Sequence, residues 1–155
     1  MHRALVRSMF LAASLLWPPV AAGETPGPQA RLWDAAIAGD TSAMASALRE
    51  GAAIDSLDTR RNPNGRRALN WAAWYNQVPA IRFLLTHGAP LEARNRTGFT
   101  ALHHAAENGS VEALEALLKA GADPRATNAA GLSPLETARA RQQEPAARIL
   151  EAAVR

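Results

Sequence analysis

The feature that most constrains this chain is a repeat of 33 residues. Three stretches align without gaps: Arg67-Ala68-Leu69-Asn70-Trp71-Ala72-Ala73, Thr100-Ala101-Leu102-His103-His104-Ala105-Ala106 and Ser133-Pro134-Leu135-Glu136-Thr137-Ala138. Leu69, Leu102 and Leu135 are 33 apart each time, as are Asn62, Asn95 and Asn128, and Gly65, Gly98 and Gly131. Gly-Ala pairs fall at 51–52, 88–89 and 121–122, so the first interval is 37, with four surplus residues between Gly51 and Asn62. A shift of 37 then brings Leu32, Ala35-Ala36, Gly39 and Gly51-Ala52 into the series. A period of this length is one supersecondary unit, unable to bury its apolar face alone. The chain must therefore fold as a stack, stabilised collectively.

Each unit reads as two short helices and a turn. Thr100 and Ser133 are good N-caps, because a hydroxyl oxygen can accept from the free amides of a first helical turn. Paired alanines let neighbouring helices approach closely. Val111, Leu114, Leu117 and Leu118 form one apolar stripe of a second helix, and Val78, Ile81, Leu84 and Leu85 repeat it. Gly88 and Gly121 suit the left-handed position that ends a helix, and Asn-x-x-Gly makes a tight turn. Composition agrees: 36 alanines favour helix, and the absence of cysteine excludes disulfides, thiolate zinc sites, iron–sulfur clusters and a cysteine nucleophile. The last unit has polar replacements suited to a cap: Glu151 stands where Leu85 and Leu118 stand, and Arg139 replaces Ala73 and Ala106. Pro79 and Pro145 share a phase at the start of second helices, where proline is tolerated. The array is expected to be complete.

These motifs resemble the ankyrin repeat over residues 31–155, most closely in Gly98-Phe99-Thr100-Ala101-Leu102-His103-His104-Ala105-Ala106-Glu107-Asn108-Gly109. The resemblance implies an all-α solenoid of about four helix-turn-helix units with short hairpin loops, at approximately 31–61, 62–94, 95–127 and 128–155. It also implies that His103 is the structural histidine that ties adjacent loops. The second unit departs from the pattern. Arg67 takes the cap position, so its first helix is expected to start differently, and Asn70 takes the place of the imidazole.

The N-terminus is a separate matter. Arg3 and Arg7, then an apolar run from Met9 to Trp17, then Pro18-Pro19 and the small residues Val20-Ala21-Ala22 form the three parts of a cleaved secretory signal over 1–22. The run is far short of the roughly 20 apolar residues of a spanning helix, so no stable membrane span is expected. Residues 23–30 read as a flexible lead-in. Loss of Arg3 and Arg7 reduces the formal charge from +3 to +1, too little for a sequence-independent nucleic-acid binder. Sixteen arginines against one lysine, with the alanine bias, suggest a GC-rich bacterial gene. The expected destination is therefore the periplasm, with the extracellular medium second.

No motif carries catalysis. His103 and His104 are adjacent on a helix, hence about 100° apart, and cannot chelate as an i, i+4 pair does. Glu112 and Glu115 read as a solvated face, and His87 as a residue at a helix C-terminus. No phosphate loop, hydrolase elbow or zincin helix is present, so an enzyme, a metal and a cofactor are not expected. Asn95-Arg96-Thr97 and Asn108-Gly109-Ser110 match glycosylation acceptors, but they also fall where the repeat needs turn chemistry.

Binding is the remaining function. The resemblance implies recognition by hairpin fingertips and by the exposed face of the first helices. On this chain those positions include Arg66, Arg96, Phe99 and Glu107, together with an aromatic cluster of Trp71, Trp74 and Tyr75. Exposed aromatics beside arginine have the composition of an interface hot spot. The alternative is that they cover the loop inserted after Gly51 or pack on the adjacent first helix. The insertion itself, with Asp55, Asp58, Arg60 and Arg61, reads either as a solvated loop with internal ion pairs or as a basic lip steering acidic partners. The expected protein is a monomeric, exported module that binds another protein; the rival is a secreted effector acting on host-cell proteins.

Overall fold

The computed structural model describes residues 25–155, and the signal segment expected over 1–22 lies outside them. Eight helices follow in order: α1 (Pro28–Ala38), α2 (Thr41–Arg49), α3 (Ala68–Trp74), α4 (Val78–Thr86), α5 (Ala101–Asn108), α6 (Val111–Lys119), α7 (Pro134–Ala140) and α8 (Glu144–Ala153). They pair as four antiparallel units. The first helices α1, α3, α5 and α7 pack in one row, and the second helices α2, α4, α6 and α8 in another. Among the described residues the only β contact is one antiparallel bridge between Asp58 and Arg66.

The apolar stripes account for this order. Ile81, Leu84, Leu114, Leu117 and Leu150 are fully buried on the second helices, each contributing about 1.5–3 kcal/mol. Val78, Leu85, Val111 and Leu118 flank the stripe, half-buried. Ala72, Ala73, Ala105 and Ala106 are completely enclosed between first helices, where a larger side chain would push the units apart. Thr100 and Ser133 cap α5 and α7, accepting from the amides of His103 and Glu136. As expected, α3 starts differently: the Arg67 amide donates to Asn70 Oδ1 at 2.8 Å, so only the return half of a capping box exists. Arg139 and Glu151 pair on the outer face of the last unit.

Hydrogen bonds clasp all three junctions at one end of the first helices, and the last two junctions at the other end as well. At one end, Gln77 Nε2, Ser110 Oγ and Gln143 Nε2 donate to the carbonyls of Ile37, Trp74 and Glu107 at 2.9, 2.8 and 3.4 Å. At the other, the amides of Arg96 and Ala129 donate to the carbonyls of Asn64 and Thr97, both at 3.0 Å, zipping the fingertips together. His103 donates through Nε2 to the Leu132 carbonyl at 3.0 Å while Nδ1 faces Thr100 Oγ1 at 2.9 Å. Where Asn70 replaces that histidine, the Arg67 guanidinium reaches the Arg94 carbonyl instead. The two asparagines of the acceptor-like triplets differ: Asn95 Oδ1 accepts from Thr97 and Phe99 amides as a turn residue, whereas Asn108 closes α5 and its Nδ2 donates across the junction to the Trp74 carbonyl.

Two expectations need correction. The lead-in ends before residue 30, because Pro28 opens α1 and Gln29 makes two hydrogen bonds to the Ala53 backbone. A proline lacks the N–H that a first turn leaves unpaired anyway. The inserted loop is not simply solvated. Asp58 is 0% exposed, accepting from Trp71 Nε1 at 3.1 Å and pairing with Arg60 at 2.9 Å.

Candidate functional site

A cleft of about 600 Å³ opens between the fingertips and the first helices. Asn62, Asn64 and Arg66 come from the first finger, Asn95, Thr97 and Phe99 from the second, and Ala129 and Ala130 from the third. His104 and Glu107 of α5, with Arg141 just after α7, complete it. Three residues expected at the binding surface therefore meet here: Arg66, Phe99 and Glu107. Arg66 and Phe99 are 33 residues apart, so the repeat itself places them side by side.

Arg66 is held by aromatic stacking. Its guanidinium carbon lies 4.0 Å from the Trp74 ring centroid and 4.6 Å from that of Trp71. Its Nε is buried without an acceptor, and among the described residues it has no carboxylate within ion-pair distance. Burial lowers its pKa from the ordinary arginine value, although the group stays a cation.

Glu107 faces it across His104. The carboxylate pairs with Arg141 at 2.5 Å and lies 3.7 Å from His104 Nδ1, too long for a full hydrogen bond but close enough for the polar edge of the neutral ring to favour its charged form. These contacts, with His104 first and Arg141 second, hold Glu107 below the usual carboxylate range. His104 is 3% exposed, with neither ring nitrogen hydrogen-bonded, and sits 5.3 Å from Phe99 and 6.2 Å from Trp74. Burial pushes its pKa down to about 4, so it is neutral at pH 7. The cleft therefore carries two arginines and one carboxylate.

The aromatic cluster divides three ways. Trp71 was expected to be exposed for binding; it is 3% exposed and belongs to the core, its indole N–H satisfied by Asp58. It covers the inserted loop. Trp74 is half-buried, edge-on to His104 of the adjacent helix. Tyr75, 44% exposed, is the cluster member that faces solvent freely. Arg96 is exposed, but donates to the Pro63 carbonyl at 2.7 Å and so bridges fingers. The basic lip does not form, because Arg60 and Arg61 reach Asp34, Arg60 also holds Asp58, and Arg67 holds Asp55.

Two cleft residues escaped the sequence reading, and both carried a periodic signal. His104 stands in register with Trp71 and Thr137, so three buried side chains line one row of the first helices. Arg141 stands 33 residues after Asn108 and 66 after Tyr75, both of them exposed.

Among the described residues, no cluster of three or more His, Cys, Asp or Glu could hold a metal, and no helix is long and apolar enough to cross a membrane. Stacked helix pairs with projecting hairpins and a concave, pre-formed cleft define a helix-turn-helix repeat scaffold. The chain belongs to the ankyrin repeat family: the family model for ankyrin repeats, in three copies, matches residues 32–128. The pair α7–α8 extends the stack beyond that match. Ankyrin repeats generally mediate protein–protein interaction, and the family is typically non-catalytic. A search of curated proteins gives no match.

Proposed function

We propose that this chain is a non-catalytic, monomeric binding module, exported to the periplasm, that takes a partner protein on its fingertip face. The cleft is the observation that carries this reading. It is pre-formed, its walls are fixed by hydrogen bonds between units, and Tyr75, 44% exposed, stands beside it next to Trp74. Binding by such a surface needs little ordering on association. The three-part segment at residues 1–22 supports export.

The test combines location and contact. Cell fractionation is expected to recover the protein in the periplasm; recovery in the medium or inside another cell would favour the secreted-effector reading. Affinity purification with the wild type is then compared with Trp74→Ala combined with Tyr75→Ala. The variant is expected to keep its helical circular-dichroism spectrum and lose the partner. Full retention of the partner by a folded double variant would remove this face from the interface.

A further inference from the structure

Most of the cations on the fingertip face are already occupied. Arg60 and Arg61 are taken by Asp34 and Asp58, Arg67 by Asp55 and Arg141 by Glu107. Arg94 and Arg96 remain charged, but each is tethered through Nη1, Arg94 to the carbonyls of Gly98 and Thr127 and Arg96 to that of Pro63, and neither lines the cleft. Arg66 differs. It lines the cleft, makes no side-chain hydrogen bond among the described residues, and is kept flat by the rings of Trp71 and Trp74. A partly buried guanidinium without an anion carries an uncompensated desolvation penalty. With its carbon over two rings and its Nε enclosed, the terminal Nη edge is its strong recognition element, and that edge matches a carboxylate.

We propose that the cleft is a subsite for a single acidic side chain, Asp or Glu, presented by an extended segment of the partner and held in plane by Arg66. The inference rests on the binding-module reading above and specifies its ligand. Charge favours an anion, because the ionised lining residues Arg66, Arg141 and Glu107 leave one positive charge in excess. Shape favours an internal residue over a chain end. Phe99, Ala129 and Ala130 form an apolar wall that residues flanking the acid would cover and that a terminal carboxylate would leave wet. Glu107, held by Arg141, repels a second acid immediately alongside, so the segment carries one acid flanked by apolar residues.

Three pentapeptides test this, with titration calorimetry on the full mature chain. One is acetylated and amidated with glutamate between leucines; the second has glutamine there; the third has glutamine and a free C-terminal carboxylate. The glutamate peptide is expected to bind about tenfold more tightly than either other, the size of one charge-assisted hydrogen bond. Arg66→Gln is expected to abolish that preference. Arg66→Lys keeps the charge without the planar fork, and is expected to reduce the preference several-fold while preserving the fold. Equal affinity for the glutamate and glutamine peptides, preference for the free carboxylate, no binding of the glutamate peptide, or an unchanged preference in Arg66→Lys would each overturn the proposal. The peptides need no natural partner. Failure here therefore leaves the Trp74 and Tyr75 result standing, and the reverse holds too.

Discussion

Acidification should loosen this protein, and the buried ring of His104 carries a separable part of the loss. Its ring is 3% exposed, has no hydrogen bond at either nitrogen, and has a pKa of about 4, because burial disfavours the imidazolium. In the unfolded chain the value is the ordinary 6.5. As pH falls below 6.5 the unfolded chain takes up a proton that the folded chain refuses, so stability declines until about pH 4 and then levels for this group. A difference of 2.5 between those values corresponds to about 3 kcal/mol in full, of which about 2 kcal/mol is lost between pH 7 and pH 5. Burial also lowers the pKa of His103, which adds a loss of the same sign, so the wild type alone does not isolate the effect. The comparison is with His104→Phe, which keeps a ring against Phe99 and Trp74, and with His104→Gln, which does not titrate either. Urea denaturation at pH 7 and pH 5 measures it. Both variants are expected to lose about 2 kcal/mol less than the wild type on acidification. An identical loss in all three proteins would refute the assignment.

Other substitutions separate core from surface. Trp71→Ala is expected to cost about 3–5 kcal/mol by thermal or chemical denaturation, whereas Tyr75→Ala costs under about 1 kcal/mol, inverting any expectation that treats the cluster as one exposed patch. Asp58→Ala strands the buried Trp71 indole N–H and leaves Arg60 with Asp34 alone, and is expected to cost about 2–4 kcal/mol, more than Asp55→Ala at the exposed end of the same loop. Gly98→Ala places a Cβ 2.7 Å from the Ala129 nitrogen at a φ of +77°, so a loss of about 2 kcal/mol or more is expected, with weakened docking of the next finger. Gln142→Gly relieves a left-handed residue at φ 58° and is expected to gain about 0.5 kcal/mol. Asn76→Gly at the equivalent position is expected to lose stability, because Asn76 bonds the Ala113 amide and Glu112.

Periodicity made most of the fold legible. Caps at Thr100 and Ser133, the buried stripes and the asparagine turns all lie where a 33-residue register puts them, since each depends on neighbours in sequence or on the adjacent copy. What broke the register was not legible. The inserted loop has no counterpart in the other units, so nothing in the repeat foretold that Asp58 would turn inward and draw Trp71 with it. Residue type alone makes Trp71 look like a surface aromatic, but its register position is an inward one, and its partners there, His104 and Thr137, are also buried. The arginines of the insertion were visible as charge, but their neutralisation by Asp34 depends on α1 lying alongside.

The double clasp at the last two junctions has a kinetic consequence. Ser110 and Gln143 hold one end of the first helices there and the zipped fingertips hold the other, so those units cannot hinge without breaking both. On the binding face proposed above, a partner would meet a surface already shaped, with no slow rearrangement between encounter and docking. Association rates should lie in the ordinary range for rigid proteins, about 10⁵–10⁷ M⁻¹s⁻¹. Differences among variants of the cleft should then show almost wholly as changes in residence time.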